Sequence, residues 1–433
     1  MRFLFHAVLC FIPLALLCTP AHGQDMPAVT STPPFQGFQL PTELGTMHYA
    51  VNFGERLRTG YYGSGGNVWT TDISGNLGYL SSSENRPLSI VYSGGYLYNS
   101  GGVQSSIFQN LNISQSFTSR LWTTNISDAV NYLPETASSG LSGIPGLGDV
   151  GVTAPPVGEN GGQGILSRAG QRISNHVNVD VERHLTGSTS LQVGGGYAIE
   201  RFLDGGSDSL DDDSIDVQAG MGHRIDALNK VEGTYSFSHF TYENQDSTIS
   251  TQKITVGYTR QVNRKLSLHA TVGPEFISSV GSAVDDSSVN VSVDAGMVYT
   301  GQQYDYSVNY TRGVRSGSGI VAGTFVDSVF GEGGRKLGEY MHISVSGGYT
   351  LNSSIGNLSN GAPTTQQLNF HTLIGNAQFS RTLSRNFNAF LNYSVQQQDS
   401  PTAAATTNAF SGTSQTYGFG ITYSPRPLHL GHK

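Results

Sequence analysis

Apolar residues occupy every second position along most of the chain. In the stretch 69–79, one phase is mostly apolar or aromatic and the other is entirely small and polar. This period of two is typical of a β-strand with one apolar face. The pattern recurs in about eighteen segments of about 9–12 residues, which suits tilted strands that cross a bilayer. The first phase of that stretch holds Trp69, Thr71, Ile73, Gly75, Leu77 and Tyr79, and the second holds Asp72, Ser74, Asn76 and Gly78.

The connections between these segments alternate in length. Short turns lie near 81–86, 118–120, 185–189, 226–229, 263–265, 301–303, 336–340 and 382–386, with longer loops between them. An up-and-down barrel has this parity when its short turns share one rim and its long loops share the other. It also requires an even number of strands, with both chain ends on the short-turn side. The sequence therefore predicts an all-β fold, a transmembrane up-and-down antiparallel β-barrel of about 16–18 strands.

The N-terminal region predicts export. Residues 1–23 have the features of a signal peptide: a basic Arg2, an apolar core at 3–18 and small residues before Gln24. Residues 24–46 are Pro-rich and predict a periplasmic linker. The barrel is then expected over 47–424, with a long loop at 133–170, and a C-terminal tail over 425–433.

Composition narrows the class of protein further. Only 12% of residues are charged and 55 of 433 are glycine, against about 25% and about 7% in ordinary soluble domains. The chain lacks the several long apolar runs that a helical membrane protein requires. Both cysteines, Cys10 and Cys18, lie in the signal peptide, so disulfides and cysteine-ligated metals are excluded from the mature chain. The acidic excess disfavours nucleic acid as a partner.

With its alternation, loop parity and aromatic final segment at 417–423, the chain resembles porin-like outer-membrane β-barrel proteins of diderm bacteria. The resemblance is architectural and covers almost the whole mature chain. It implies a place in the cell outer membrane, contact with outer-membrane lipid, and the barrel-assembly machinery as a partner during biogenesis. One departure is that such barrels usually end on an aromatic residue, whereas here ten further residues follow Tyr423.

The polar phase of a membrane barrel faces its interior. Four basic residues share that phase, namely Arg172, Arg224, Lys230 and Lys253. An acidic lining raises the local cation concentration and predicts a mild cation preference. If the acids are spread over depth and paired, little selectivity is expected. The acidic residues in the phase are Asp72, Asp180, Glu182, Glu200, Asp216, Glu232, Glu275, Asp294 and Asp305.

The loop 133–170 is much the longest insertion and by count the third long loop. In general porins the third loop folds inward and narrows the pore. The resemblance therefore implies a constriction in which Glu135, Asp149 and Glu159 face Arg168. The high Gly and Pro content of the loop equally suits a flexible external loop.

Motifs for chemistry are weak. The acidic tract 204–213 lacks the spacing of an EF-hand loop and predicts a solvated external loop rather than a metal site. His176, His269 and His342 lie on the polar phase, but no nucleophile motif accompanies them. We therefore predict no enzyme activity, no cofactor and no metal. The predicted function is a passive channel for small hydrophilic solutes. A structural or export-associated barrel with a plugged lumen is the first alternative, and an outer-membrane hydrolase is the second.

Overall fold

The computed structural model describes residues 45–60, 67–81, 83, 85–100, 105–133, 171–203, 210–243, 247–281, 286–317, 321–355, 368–399 and 410–430. The expected signal peptide and almost all of the expected linker and long third loop lie outside these residues. The regular structure within them consists of β-strands. The strands are β1 (Thr46–Thr59), β2 (Val68–Leu80), β3 (Leu88–Asn99), β4 (Ser106–Thr118), β5 (Trp122–Leu133), β6 (Arg172–His184), β7 (Thr189–Phe202), β8 (Asp212–Arg224), β9 (Asn229–Tyr242), β10 (Ser247–Asn263), β11 (Leu266–Val280), β12 (Asp286–Thr300), β13 (Tyr304–Arg315), β14 (Thr324–Lys336), β15 (Met341–Ser354), β16 (Asn369–Thr382), β17 (Phe387–Asp399), β18 (Gly412–Tyr423) and β19 (Leu428–His429).

The strands close into a barrel. Each of β1 to β17 pairs antiparallel with the next, and β1 also pairs with β18. Val51 of β1, for example, lies opposite Gly75 on one side and Tyr423 on the other. Closure gives every strand a neighbour on each side for at least part of its length, so the barrel has no edge strand. The predicted antiparallel barrel is confirmed, with eighteen wall strands, and so is the architectural resemblance to porin-like barrels.

The C-terminal residues extend the wall beyond β18. Tyr423 pairs with Val51, and in unbroken register Leu428 would lie opposite Thr46. Instead His429 lies opposite Thr46 and Leu428 opposite Met47, so one extra residue is accommodated between β18 and β19. This offset is that of a β-bulge. The segment expected to be a plain tail therefore contains a short strand that covers the start of β1.

Alternate side chains along each strand differ sharply in exposure. The outward phase carries exposed apolar residues such as Ile73, Val256 and Phe419. The inward phase carries mainly Ser, Thr, Asn, Gln and charged residues. This distribution is the reverse of a soluble barrel and is the one that a lipid environment requires. No helix among the described residues is long and apolar enough to cross a membrane.

Aromatic residues mark the outward surface near the short turns. Tyr299 and Tyr306 stack with ring centroids 4.7 Å apart, and Phe387 lies 5.2 Å from Tyr423. The Arg183 guanidinium lies 5.1 Å from the centre of the Trp122 ring. Aromatic side chains in this position are typical of the interface between lipid tails and headgroups.

The short turns are stabilised locally. In the β8–β9 turn, the Asp226 carboxylate accepts hydrogen bonds from the backbone N–H groups of Leu228 and Asn229 and from the Asn229 side chain. These bonds favour the charged carboxylate, and the one from the Asn229 side chain contributes most to lowering the pKa of Asp226 below its usual value. The conformation of this turn is therefore stabilised by the Asp226 and Asn229 side chains.

The two-faced wall predicts opposite effects for neighbouring substitutions in the middle of β10. Val256 faces outward and is 59% exposed, whereas Thr255 faces the lumen. Val256→Lys should destabilise the barrel folded in a bilayer by about 2–4 kcal/mol of unfolding free energy, because it places a charge against lipid. Thr255→Lys is the matched control and should change it by less than about 1 kcal/mol. Denaturant titration in lipid vesicles measures both, and equal effects would contradict the assigned faces.

Candidate functional site

The lumen wall has two zones along the barrel axis. Toward the long loops, inward side chains on most strands are buried, including Arg56, Arg172 and Glu200. Toward the short turns, most inward side chains are half-buried or exposed. We call these the covered zone and the open zone. Solvent therefore reaches the described lumen wall mainly from the short-turn side.

All nine predicted lumen acids lie on the phase opposite the exposed apolar residues, on eight different strands. Three of them are buried in the covered zone: Asp72, Glu200 and Glu275. The other six are partly exposed, and they are Asp180, Glu182, Asp216, Glu232, Asp294 and Asp305.

Each of these three acids has a basic partner on a neighbouring strand. Asp72 pairs with Arg56. Arg172 Nη1 lies 2.6 Å from Glu200 Oε1, and Lys253 Nζ lies 3.7 Å from Glu275 Oε1. Pairing offsets the cost of removing these charges from water. The covered zone is thus close to electrically balanced.

The sequence interpretation missed several charged residues that share the inward phase. Asp212 and Glu332 add two acids to the predicted nine, and four bases join the predicted four. They could have been found by extending the same alternation through β1, β8, β13 and β14. The added bases are Arg56, Arg58, Arg315 and Lys336.

The open zone keeps an acidic excess. Its bases are Arg224, Lys230 and Lys336, against the six exposed acids and Glu332. Lys230 lies 2.9 Å from Glu232, so that pair is neutral as a unit. Asp180 accepts hydrogen bonds only from neutral groups among its described contacts, the amides of Asn178 and Gln218. The zone that water enters is therefore predominantly negative.

The hairpin between β13 and β14 leaves the wall and folds into the lumen. β13 pairs with β12 only up to Arg312, opposite Val293. Beyond Gly313 it continues to pair with β14 but no longer with β12. Arg312 is held at this bend by Asp327, 3.0 Å away on β14. We call residues 313–325 the lumen hairpin, of which 318–320 lie outside the described part of the chain.

Hydrogen bonds at two points fix the lumen hairpin to the nearby inner wall. The Val314 N–H donates to the Glu275 carboxylate, at 3.2 Å to Oε2 and 3.4 Å to Oε1. The Tyr242 hydroxyl donates to the carbonyl oxygen of Ser316 at 2.7 Å. Glu275 belongs to β11, so its side chain crosses the inner face of β12 to reach β13. It supplies the acceptor that β12 no longer provides.

An apolar cluster completes the contact. Val314 and Ala322 of the lumen hairpin are buried against inward side chains of the wall, and Phe325 packs at the edge. Burying apolar surface here contributes about 25 cal/mol per Å². The wall residues of the cluster are Leu210, Phe240, Tyr242, Ile249 and Ile277.

The predicted constriction by the third loop is untested, because Glu135, Asp149, Glu159 and Arg168 lie outside the described residues. What the structure adds is a different segment inside the barrel, which sequence reasoning treated as an ordinary external loop. The signal that marks it is the apolar run Ile320, Val321 and Ala322 within an otherwise polar connection. Apolar residues in a loop indicate a surface that something covers.

The three histidines predicted on the polar phase, His176, His269 and His342, do not form one site. They lie on β6, β11 and β15, which are separated around the barrel. His269 Nε2 is 3.0 Å from Asp294 Oδ1, and this pair faces the lumen nearer the short turns than the long loops. Among the described residues, no group of three His, Cys, Asp or Glu side chains is arranged to hold a metal ion.

No family model and no curated protein matches the chain. Among solved structures it is similar to Pseudomonas aeruginosa OpdQ, with 11% identity, 88% of this chain and 99% of that chain covered, and a TM-score of 0.44. P. aeruginosa OccK2 (OpdF) has 10% identity, with 89% and 98% covered and a TM-score of 0.44. Acinetobacter baumannii OccAB3 has 11% identity, with 88% and 99% covered and a TM-score of 0.42. At this distance the likeness carries nothing about a substrate.

The bond from Val314 to Glu275 predicts local exchange behaviour. Glu275→Ala removes the only charged acceptor described for the Val314 N–H, and bonds to charged groups contribute about 1.5–3 kcal/mol. Amide hydrogen exchange around Val314 should therefore accelerate about tenfold or more. Exchange mass spectrometry in detergent micelles measures this. Glu332→Ala is the matched control, since Glu332 bonds the Ser307 hydroxyl and not the lumen hairpin; unchanged exchange in Glu275→Ala would contradict the anchor.

Proposed function

We propose that this protein is a passive outer-membrane channel for small hydrophilic solutes, with the lumen hairpin narrowing it toward the long loops. The barrel is closed, and its inward residues are mostly Ser, Thr, Asn and Gly. Side chains of this size do not fill the interior of an eighteen-strand barrel, which leaves room for water. A wet, polar interior inside an apolar outer surface is the arrangement of a channel.

The observation that carries the proposal is the anchored lumen hairpin. A connection that leaves the wall and binds the inner face of β9 and β11 reduces the cross-section at one level. The open zone, on the short-turn side of the lumen hairpin, forms a solvent-accessible vestibule. A vestibule that leads to a narrowing selects solutes by size and by the groups that line it.

The outer membrane is the proposed location. The exposed apolar phase and the aromatic residues near the short turns favour a lipid environment over water. Barrel-assembly machinery is the proposed partner during biogenesis. A purely passive role without catalysis fits the inner wall, whose charges mostly serve ion pairs and hydrogen bonds.

A mild cation preference is part of the proposal. The paired charges of the covered zone nearly cancel, whereas the open zone has more acids than bases. An ion that enters from the short-turn side therefore meets a negative potential. The preference should weaken at high salt, where the Debye length falls to about 3 Å at 1 M.

Burial in the covered zone favours a second candidate. Inward side chains there are shielded on strands all round the barrel, including Asn110, Gln398 and Ser414, which lie on strands that are not adjacent to the lumen hairpin. A barrel closed toward the long loops would serve as a structural or export-associated protein rather than a channel. Conductance separates the two candidates.

Purified protein in planar bilayers should show discrete conductance steps. Deleting 316–322 removes the anchored tip of the lumen hairpin and should give larger steps, because the cross-section at that level increases. Deleting 141–163 tests the third loop in the same way and shows which segment sets the narrowing. Persistent silence of correctly folded protein would overturn the channel and favour the plugged barrel.

Ion selectivity depends on the exposed acids. Asp180→Asn combined with Asp216→Asn should lower the potassium-to-chloride permeability ratio by about twofold, since each removes an exposed negative charge from the open zone. Reversal potentials in a potassium chloride gradient measure the ratio. Asp128→Asn is the control, because Asp128 faces outward and accepts a bond from Asn175 at 2.6 Å. Equal ratios in all three proteins would refute the role of the open-zone acids.

A further inference from the structure

Charge is distributed unevenly around the lumen wall. Each of the strands β6 to β14 carries at least one inward acid or base. The other half consists of β15 to β18 followed by β1 to β5, and we call it the neutral wall. Among the described strand residues, its inward charges are Arg56, Arg58 and Asp72, all near the long-loop ends of β1 and β2. On the short-turn side of these three residues, the described inward residues of the neutral wall carry no formal charge apart from any on its histidines.

Carboxamides and hydroxyls replace the charges there. Asn376 and Gln378 of β16 face the lumen and are half-buried, and Ser346 lies beside them on β15. Asn376 Nδ2 is 3.4 Å from Ser346 Oγ. A carboxamide offers donors and an acceptor in one plane, and a hydroxyl offers both roles. Such a surface matches the vicinal hydroxyl groups of a polyol or sugar.

Each strand next to this patch carries an inward phenylalanine. Phe390 of β17 reaches across its partner Gly420 on β18 toward Gly54 on β1. A Cβ built on Gly54 would lie 3.6 Å from Phe390 Cζ, and one built on Gly420 only 2.5 Å away. The ring therefore lies along the wall in space that these glycines leave open. It remains partly exposed to the lumen.

Phe330 repeats the arrangement on the other side of the patch. It faces the lumen on β14, opposite Gly348 of β15, and a Cβ on Gly348 would lie 2.8 Å from its ring. Aromatic rings over glycines are a known means of stabilising a sheet. The Phe330 ring extends over β15 toward the amides and hydroxyls, whereas the Phe390 ring extends over β18 away from them, and both rings remain partly exposed to the lumen.

We propose that the neutral wall is a binding path for uncharged polyhydroxylated solutes, such as neutral sugars. The C–H faces of the solute would lie on the rings of Phe390 and Phe330, and its hydroxyls would bond Asn376, Gln378 and Ser346. An anionic solute finds no counter-charge on this wall and is repelled by Glu332, which lies opposite Ser346 at its edge, so it would lose hydration without compensation. The inference rests on the proposed channel and adds the class of substrate.

The test is block of the ion current by maltotriose, a neutral trisaccharide, compared with gluconate. Maltotriose should reduce the current of the native protein in a saturable way, and gluconate should bind more weakly. Phe390→Ala should raise the maltotriose dissociation constant about tenfold. Phe390→Leu keeps an apolar side chain without the ring and should give a similar loss. Phe387→Ala is the matched control, since Phe387 is on the same strand but faces outward against Tyr423.

Two results would overturn the proposal. One is a conducting native channel that maltotriose does not block; the other is a maltotriose affinity that Phe390→Ala and Phe390→Leu leave unchanged. Both leave the channel function intact. If the folded protein does not conduct, the channel proposal fails by itself, and calorimetric titration of the detergent-solubilised protein with maltotriose then decides whether the neutral wall binds sugar.

Discussion

The pairing of β1 with β18 is the interaction on which the rest of the structure depends. In lipid, an unpaired backbone N–H or carbonyl costs several kcal/mol, so an open sheet of this size would carry two costly edges. Closure satisfies both edges at once. It also divides every strand into a phase that meets lipid and a phase that meets the lumen. The low charge content and the excess of small residues are consequences of that division.

The same rule explains why the lumen hairpin is anchored where it is. β13 separates from β12 after Arg312. The next backbone N–H on the β12 side, that of Val314, therefore loses its strand partner. Glu275 replaces that partner, and its own charge is offset by Lys253. A buried carboxylate in this position thus has a structural task besides any effect on ions. Counting it among the selectivity-determining acids would overstate the negative potential of the lumen.

Much of the fold was predictable from the sequence because the strand signal is local. A period of two assigns each of the nine acids to a phase without any knowledge of partners. Loop parity is equally local and gives an even strand number. The contacts of the lumen hairpin are not local: Glu275 and Val314 are 39 residues apart on strands that are not neighbours. The offset between β18 and β19 likewise depends on the facing strand β1, which alternation does not encode.

Depth along the barrel axis is the property that changes the interpretation of the lumen. Alternation alone places Asp72 and Asp180 in one set, although the first is buried against Arg56 and the second faces solvent. Once depth is known, charge separates into a balanced covered zone and an acidic open zone. Position around the circumference separates it again, into β6 to β14 and the neutral wall. In the proposed channel, ions and neutral solutes therefore meet different sides of one lumen, so that changes to one wall should alter ion selectivity and changes to the other should alter sugar binding.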